Sequence, residues 1–295
     1  MKYSICKSPI FLCCTICFLI VGCNRKKSTT DAGAISFDVP AVQPVVPIIN
    51  EASGIADSKI NPGYAWAEED SGNPPQLYLL NHNGKVLKTI YIKGATNVDW
   101  EDIALAPGPD AAKSYLYIAE IGDNDGVHAT SAFYRFEEPL ASTDSVRIFD
   151  KVTFAYPDGP RDAEAFVVEE ATKDIYIISK RDSKSRLYKI SWPYSIITLN
   201  TAVFIQELPY NGVVSAALSI DGKGMIVKTY PQLFYYSRLP GETIAQTLKK
   251  DYTSLSYQLE PQGEAVGFAQ DNSGFYTISE KGNSDAQVLY FYKKK

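Results

Sequence analysis

From about Ile48 onward, short runs rich in Val, Ile, Tyr and Phe alternate with clusters of Gly, Asp, Asn and Pro. Runs of that length, bounded by turn residues, read as β-strands. No amphipathic stretch is long enough to predict a helix, so the expected fold class is all-β. Five segments align on a common position: Ser53-Gly54-Ile55-Ala56, Glu101-Asp102-Ile103-Ala104, Glu164-Ala165-Phe166-Val167, Ser215-Ala216-Ala217-Leu218 and Glu264-Ala265-Val266-Gly267, at spacings of 48, 63, 51 and 49 residues. A second mark follows each one, an apolar residue before tyrosine: Leu77-Tyr78, Phe133-Tyr134, Leu187-Tyr188, Phe234-Tyr235 and Leu289-Tyr290. Turn signals such as Asn61-Pro62-Gly63, Asp221-Gly222-Lys223-Gly224 and Asp271-Asn272-Ser273-Gly274 lie between the marks.

Four antiparallel strands in about 50 residues is the size of a propeller blade. Five units predict a five-bladed β-propeller over residues 48–295. The alternative is six blades with one degenerate, but the longest interval, 63 residues, is too short for two blades. The last unit ends after its third strand at Tyr292, so the segment around Ala34 to Val46 is expected to supply the missing outer strand and close the ring. The aligned tyrosines are expected to pack between blades.

The N-terminus reads differently. Lys2 and Lys7 precede an apolar run from Ile10 to Val21, which ends in Ile20-Val21-Gly22-Cys23. The run falls short of the roughly 20 residues that cross a bilayer and has the order of a secretion signal. Its end resembles the lipobox of bacterial lipoproteins, which implies a signal peptide over residues 1–22, lipid on Cys23, and a tether and closing strand over 23–47. All five cysteines lie in the first 23 residues, so the mature chain keeps only the lipidated one and has no disulfide. The expected location is the cell envelope, anchored to the outer membrane, on its periplasmic or surface face. Removing residues 1–22 takes away two lysines and changes the charge balance to 27 minus 34, or −7, which disfavours nucleic acid as a partner.

Chemistry is sparse. With two histidines in the chain, and His82 inside the hairpin-like Asn81-His82-Asn83-Gly84, a histidine base or a His-rich zinc site is not expected. In a propeller the first strand of each blade lines the central channel, so Ser53, Glu101, Glu164, Ser215 and Glu264 are predicted to form a ring around it. Three carboxylates aimed at one axis resist ionising together unless something positive compensates them. Either a cation binds there, or the acids are protonated or paired in a hydrated channel; Arg161, Arg181, Lys228 and Lys281 are candidate counterions and candidate anion-binding residues. An all-oxygen donor set favours a hard ion, and calcium over magnesium because it accepts six to eight ligands in relaxed geometry. Glu68, Glu69 and Asp70 are read as solvated acids beside a funnel mouth. Asp123-Asn124-Asp125-Gly126 is read as a polar turn, because Tyr134 stands where a calcium loop needs its twelfth-position glutamate.

The Ser, Glu, Glu, Ser, Glu order resembles the ring of the calcium-activated nucleotidases of the apyrase family, five-bladed propellers, and implies a central Ca²⁺. A wider likeness spans most of residues 48–292, carried by Glu51-Ala52-Ser53-Gly54-Ile55, Asp99-Trp100-Glu101-Asp102-Ile103-Ala104, Ile121-Gly122-Asp123-Asn124, Arg161-Asp162-Ala163-Glu164-Ala165 and Gly263-Glu264-Ala265. These segments are similar to a group of uncharacterised secreted bacterial β-propeller proteins, which implies the fold and no activity. The signature acidic motifs of the β-propeller phytases are absent.

Two functions fit. One is a membrane-anchored binding platform for a small-molecule or protein ligand, stabilised by a central cation. The other is a calcium-dependent phosphoester hydrolase, with the basic residues holding phosphate while Glu68 or Asp123 positions water.

Overall fold

The computed structural model describes Met1 and residues 35–295, of which Ile35–Lys295 is one compact unit. Cys23 and the segment before it lie outside the described residues. Among those residues, no helix is long and apolar enough to cross a membrane.

The chain enters through β1 (Ala41–Pro44) and then builds a first sheet from β2 (Ala52–Asp57), β3 (Tyr64–Glu69), β4 (Gln76–Asn81) and β5 (Val86–Ile92). The second sheet contains β6 (Trp100–Ala106), β7 (Tyr115–Glu120) and β8 (Ser131–Glu137); the short β9 (Ser145–Val146) then leaves before β10 (Asp150–Ala155) returns as its outer strand. The third has β11 (Ala163–Val168), β12 (Ile175–Ser179) and β13 (Arg186–Ile190), then β14 (Asn200–Thr201) and the outer β15 (Val203–Glu207). The fourth has β16 (Val213–Leu218), β17 (Gly224–Thr229), β18 (Leu233–Ser237), the single-turn helix α1 (Ile244–Thr247) and β19 (Thr253–Leu255). The fifth has β20 (Ala265–Phe268), β21 (Gly274–Ile278) and β22 (Val288–Lys293).

This is a five-bladed β-propeller with β2, β6, β11, β16 and β20 innermost. The N-terminal strand closes it as expected: β1 lies antiparallel on β22, from Ala41 opposite Phe291 to Pro44 opposite Val288. One residue later the segment changes blades, since Val45 N donates to Gln287 O at 2.9 Å while Val46 bridges to Lys85. Gln287 ties the seam from within, donating to Ile49 O at 2.6 Å and accepting from Ile49 N at 2.8 Å.

The 63-residue interval holds one blade, its extra length over the third blade lying in longer strands and in the loops between β6 and β7, β7 and β8, and β10 and β11. Residues between β8 and β10 swing across so that β9 pairs in parallel with β5 of the blade before. The third blade repeats the device, with β14 on β10. Each lap covers an edge that would otherwise present unpaired backbone groups.

Five apolar clusters fill the five seams between blades. Tyr134 and Tyr188 sit in two of them, buried to 1% and 0% exposure, so the packing role expected of the repeated tyrosines holds there. At the turn after β2, Tyr64 N donates to Asn61 O at 3.2 Å and Gly63 takes φ +85°, a left-handed conformation that glycine adopts without strain.

Candidate functional site

The innermost strands start with an irregularity. In β2, β6, β11 and β16 the pairing with the second strand skips one residue: Ser53, Glu101, Glu164 and Val214 respectively. Such a bulge leaves the extra residue out of the ladder and re-aims its side chain. Glu264 occupies the same place just before β20. The first three segments and the last therefore align as expected.

The fourth does not. Val214, not Ser215, stands in register with Ser53, Glu101 and Glu164, 50 residues after Glu164 and 50 before Glu264. Its second mark slips likewise: Phe234 lies opposite Val227, as Tyr188 lies opposite Ile177, so Phe234 and not Tyr235 is the counterpart. A one-residue slip reverses the face of every side chain in a strand. Ser215 accordingly lies one step further along the channel, where its hydroxyl donates to Asp102 Oδ2 at 3.1 Å.

Around the remaining ring the loops add acids. Carboxylate oxygens of Asp70, Asp99 and Glu101 lie within 4.8 Å of one another, as do those of Glu101, Asp162 and Glu164, and those of Asp70, Glu264 and Glu280. Seven carboxyls thus form three linked triads, with Glu101 and Asp70 each shared. Burial and repulsion raise the pKa values of several of them: Glu101 far above the carboxylate range by burial and then Glu164, Glu164 by burial and then Glu264, and Asp99 to about 6 by burial and the Asp70 charge. Glu280 rises to about 8 by burial and then Glu264. Burial raises Asp70 as well, and its carboxyl lies beside that of Asp99.

Lys180, which sequence reasoning passed over, supplies a counterion. Its ammonium bonds Glu164 Oε1 and lies 3.2 Å from the Tyr230 hydroxyl, which donates to Glu264 Oε1 at 2.5 Å. Ser53 Oγ donates to Glu101 O at 2.6 Å and lies 3.3 Å from Glu264 Oε2. Glu164 Oε2 is buried and has no hydrogen-bond partner. Its residue is 3% exposed.

Beneath the ring lies a floor. Asp102 accepts from Ile103 N at 2.9 Å and from Ser215, and the Ala216 and Phe166 amides of two other blades also point at it. Glu68, from β3, reaches the same level because its neighbour is Gly54: a Cβ there would come within 2.7 Å of Glu68 Oε1 and 2.5 Å of Ile103 N. Glu68 is fully buried with neither oxygen partnered, and burial followed by the Asp102 charge pushes its pKa far up. The reading of Glu68 and Glu69 as solvated acids is therefore corrected: both are buried, and only Asp70 reaches the mouth. A Glu-Glu-Asp run ending a strand otherwise full of buried residues was the available signal.

The other candidates are spread out. Arg161 is held by Asp158 at 2.7 Å and Asp182 at 2.6 Å, while Arg181 is held by Asp162 at 2.5 Å and by Asn124. Lys228 is fully buried, paired with Glu260 at 3.1 Å and lying 4.3 Å from the Tyr257 ring centroid. Lys281 follows Glu280, its amide donating to Asn50 O at 2.7 Å. Asp123 closes the expected polar turn, accepting from the Val127 and His128 amides at 2.8 Å each. His82 lies in the β4–β5 hairpin, its Nε2 2.6 Å from Asp57 Oδ1.

No protein-family model matches the chain, and no curated protein matches it. Among solved structures, one described as the crystal structure of RRP9 WD40 repeats matches with a TM-score of 0.46 and 8% identity, over 88% of this chain and 100% of that one.

Proposed function

We propose that this chain is an envelope-anchored binding platform whose acidic channel mouth holds a divalent cation, calcium, and presents its loops to a small-molecule or protein ligand. The observation that carries the reading is Glu164 Oε2, a buried carboxylate oxygen without a hydrogen-bond partner inside a triad of acids. A buried carboxylate oxygen left without a partner is costly even where Lys180 holds the other oxygen, and a cation removes that cost. The donors are oxygens only, and three carboxylates plus carbonyls and water suit a hard ion with many ligands at 2.3–2.6 Å. Glu101, Asp162 and Glu164 would hold the ion. What it supplies is charge: it lets the acids ionise together and fixes the loops that bear them.

Anchoring rests on the lipobox-like Ile20-Val21-Gly22-Cys23, with lipid on Cys23 holding the domain to the outer membrane. Hydrolysis has no observation of its own, because Arg161 and Arg181 are each already held by acceptors and Lys228 is inside the core.

Thermal unfolding of the full chain in detergent tests the cation. Calcium is expected to raise Tm and EDTA to lower it, and Glu164→Gln is expected to shrink the difference. Equal Tm with calcium and EDTA in the wild type overturns the reading. Metabolic labelling with a fatty acid tests the anchor: loss of label in Cys23→Ala is expected, and an unlabelled wild type overturns it.

A further inference from the structure

The end of the channel opposite the mouth holds large aliphatic side chains in water. Ile60 in the β2–β3 turn and Ile220 in the β16–β17 turn are exposed, and so is Leu239, just after Arg238, whose amide donates to Lys223 O of that second turn at 2.8 Å. The loop after β13 reaches the same end. Trp192 N donates to Asp174 Oδ1 at 2.9 Å beside the β11–β12 turn, and the Tyr194 hydroxyl lies 3.1 Å from that of Tyr117, which donates to Pro107 O in the β6–β7 turn. Ile197, three residues further on, is 90% exposed. Ile148, 88% exposed, lines a cleft with Leu140 and with Pro109 of the β6–β7 turn. Single exposed apolar residues need no explanation. Six from four blades, gathered at one end around an opening that is itself apolar, do need one.

Where the chain enters the domain says what would cover them. Ile35 and Phe37, the first apolar residues of the compact unit, line a small pocket with Ser219 and Asp221 of the β16–β17 turn and Asn272 of the β20–β21 turn. The domain is thus joined to the preceding chain at this same end. Cys23 precedes Ile35 by twelve residues, a length that spans at most about 40 Å when fully extended. Charge favours the same orientation. An anionic lipid surface repels the carboxyls of the mouth, whereas the turns at the apolar end carry Lys59, Lys113, Lys173 and Lys223 against a similar number of acids. The valines exposed at the mouth stand among acids: Val98 precedes Asp99, and the Val127 amide donates to Asp123.

We infer that the end where the inner strands finish is a membrane-docking face, its aliphatic turn residues seated in the interfacial layer of the bilayer that holds the lipid on Cys23. The acidic mouth is then held away from the membrane and open to ligand. The inference rests on the proposed anchor and goes beyond it. Lipid makes the domain tethered; the face decides which way it is held.

Depth in a vesicle tests it. With lipid on its sulfur Cys23 cannot be labelled, so a cysteine introduced elsewhere in the lipidated full chain is the one thiol that takes a polarity-sensitive fluorophore. The chain is reconstituted in vesicles of phosphatidylethanolamine and phosphatidylglycerol and recovered by flotation. Fluorophores at Ile197→Cys and Leu239→Cys are expected to shift to the blue and to be quenched by spin-labelled lipid, while one at Val127→Cys is expected to keep its aqueous emission. All three side chains are at least 68% exposed, so circular dichroism is expected to match the wild type. Ile148→Asp combined with Ile220→Asp is expected to return the Leu239→Cys signal to its aqueous value while flotation persists; an unmoved signal overturns the role of the aliphatic side chains. Aqueous emission at all three positions in a floating chain overturns the docking face and leaves the anchor standing. A quenched Val127→Cys overturns the orientation. A chain that does not float overturns anchor and face together.

Discussion

The two ends of the central channel are built from the same five strands and have opposite chemistry. At one end, where the inner strands begin, bulged or pre-strand residues meet loop acids to form the carboxylate mouth. At the other, where those strands end, Ile55, Ile103, Val167, Ala217 and Val266 line a narrow apolar opening. Between them stands the floor of Asp102, Glu68 and Ser215. The difference shows where this propeller places polarity: repeated apolar positions serve every blade alike, whereas the acids gather at one end, three at the ring position and four from outside it.

The largest effect is expected at the floor that separates the ends. Asp102→Ala removes the acceptor of Ile103 N and Ser215 Oγ and leaves buried donors from more than one blade unsatisfied. Each such group costs about 1–3 kcal/mol, so urea unfolding should show a loss of roughly 3 kcal/mol or more, with or without calcium. A loss seen only in calcium would make Asp102 part of the mouth and erase the boundary between the ends.

Chelation comes next and should act on the mouth alone. At free calcium 100 times the dissociation constant, one ion stabilises the folded state by about 2.7 kcal/mol. For a domain of this size that corresponds to a Tm difference of roughly 5–10 °C between calcium and EDTA. The gap should shrink in Glu164→Gln and persist unchanged in substitutions at the apolar end. A gap that follows the apolar end instead would assign the ion to the wrong opening.

How much of this contrast was readable in the sequence depends on what each residue answers to. Blade number, the closing strand and the ring positions Ser53, Glu101, Glu164 and Glu264 were legible because a repeat imposes them five times over. Val214 was not: a valine at the ring position breaks the pattern, and the neighbouring Ser215 imitates it, so the alignment slipped by one residue. Asp99, Asp162, Lys180 and Glu280 were out of reach for another reason. They come from different blades, and their convergence is set by loop geometry that no spacing encodes. Glu68 was misread because a carboxylate after apolar residues normally marks the surface, whereas here Gly54 opens the space that admits it.

The pH response should also separate the ends. Burial and neighbouring charge raise Glu280 to about 8 and Asp99 to about 6 in the folded chain, from ordinary values of 4.5 and 3.8. Without calcium the folded state therefore holds protons that the unfolded state has released. Stability due to these groups is complete below the unfolded values and is lost as pH rises to the folded ones. In EDTA, urea midpoints should fall between pH 5 and pH 8, by on the order of 1–2 kcal/mol once solvent screening is allowed for. Calcium replaces those protons and should flatten the slope. A slope in EDTA that is flat or rising would show that the mouth acids are already ionised and compensated.

The smallest effect belongs to the apolar end and serves as its control. Ile55 is 1% exposed, belongs to the cluster between the last and first blades, and lines the apolar opening. Ile55→Val removes one buried methylene and should cost about 0.5–1.5 kcal/mol. Ile55 belongs to none of the triads. Calcium stoichiometry and the Tm gap between calcium and EDTA should therefore match the wild type, while both melting curves shift down together. A change in the gap would mean that packing at one end sets the ligand geometry at the other, and that the floor transmits between the ends what it otherwise separates.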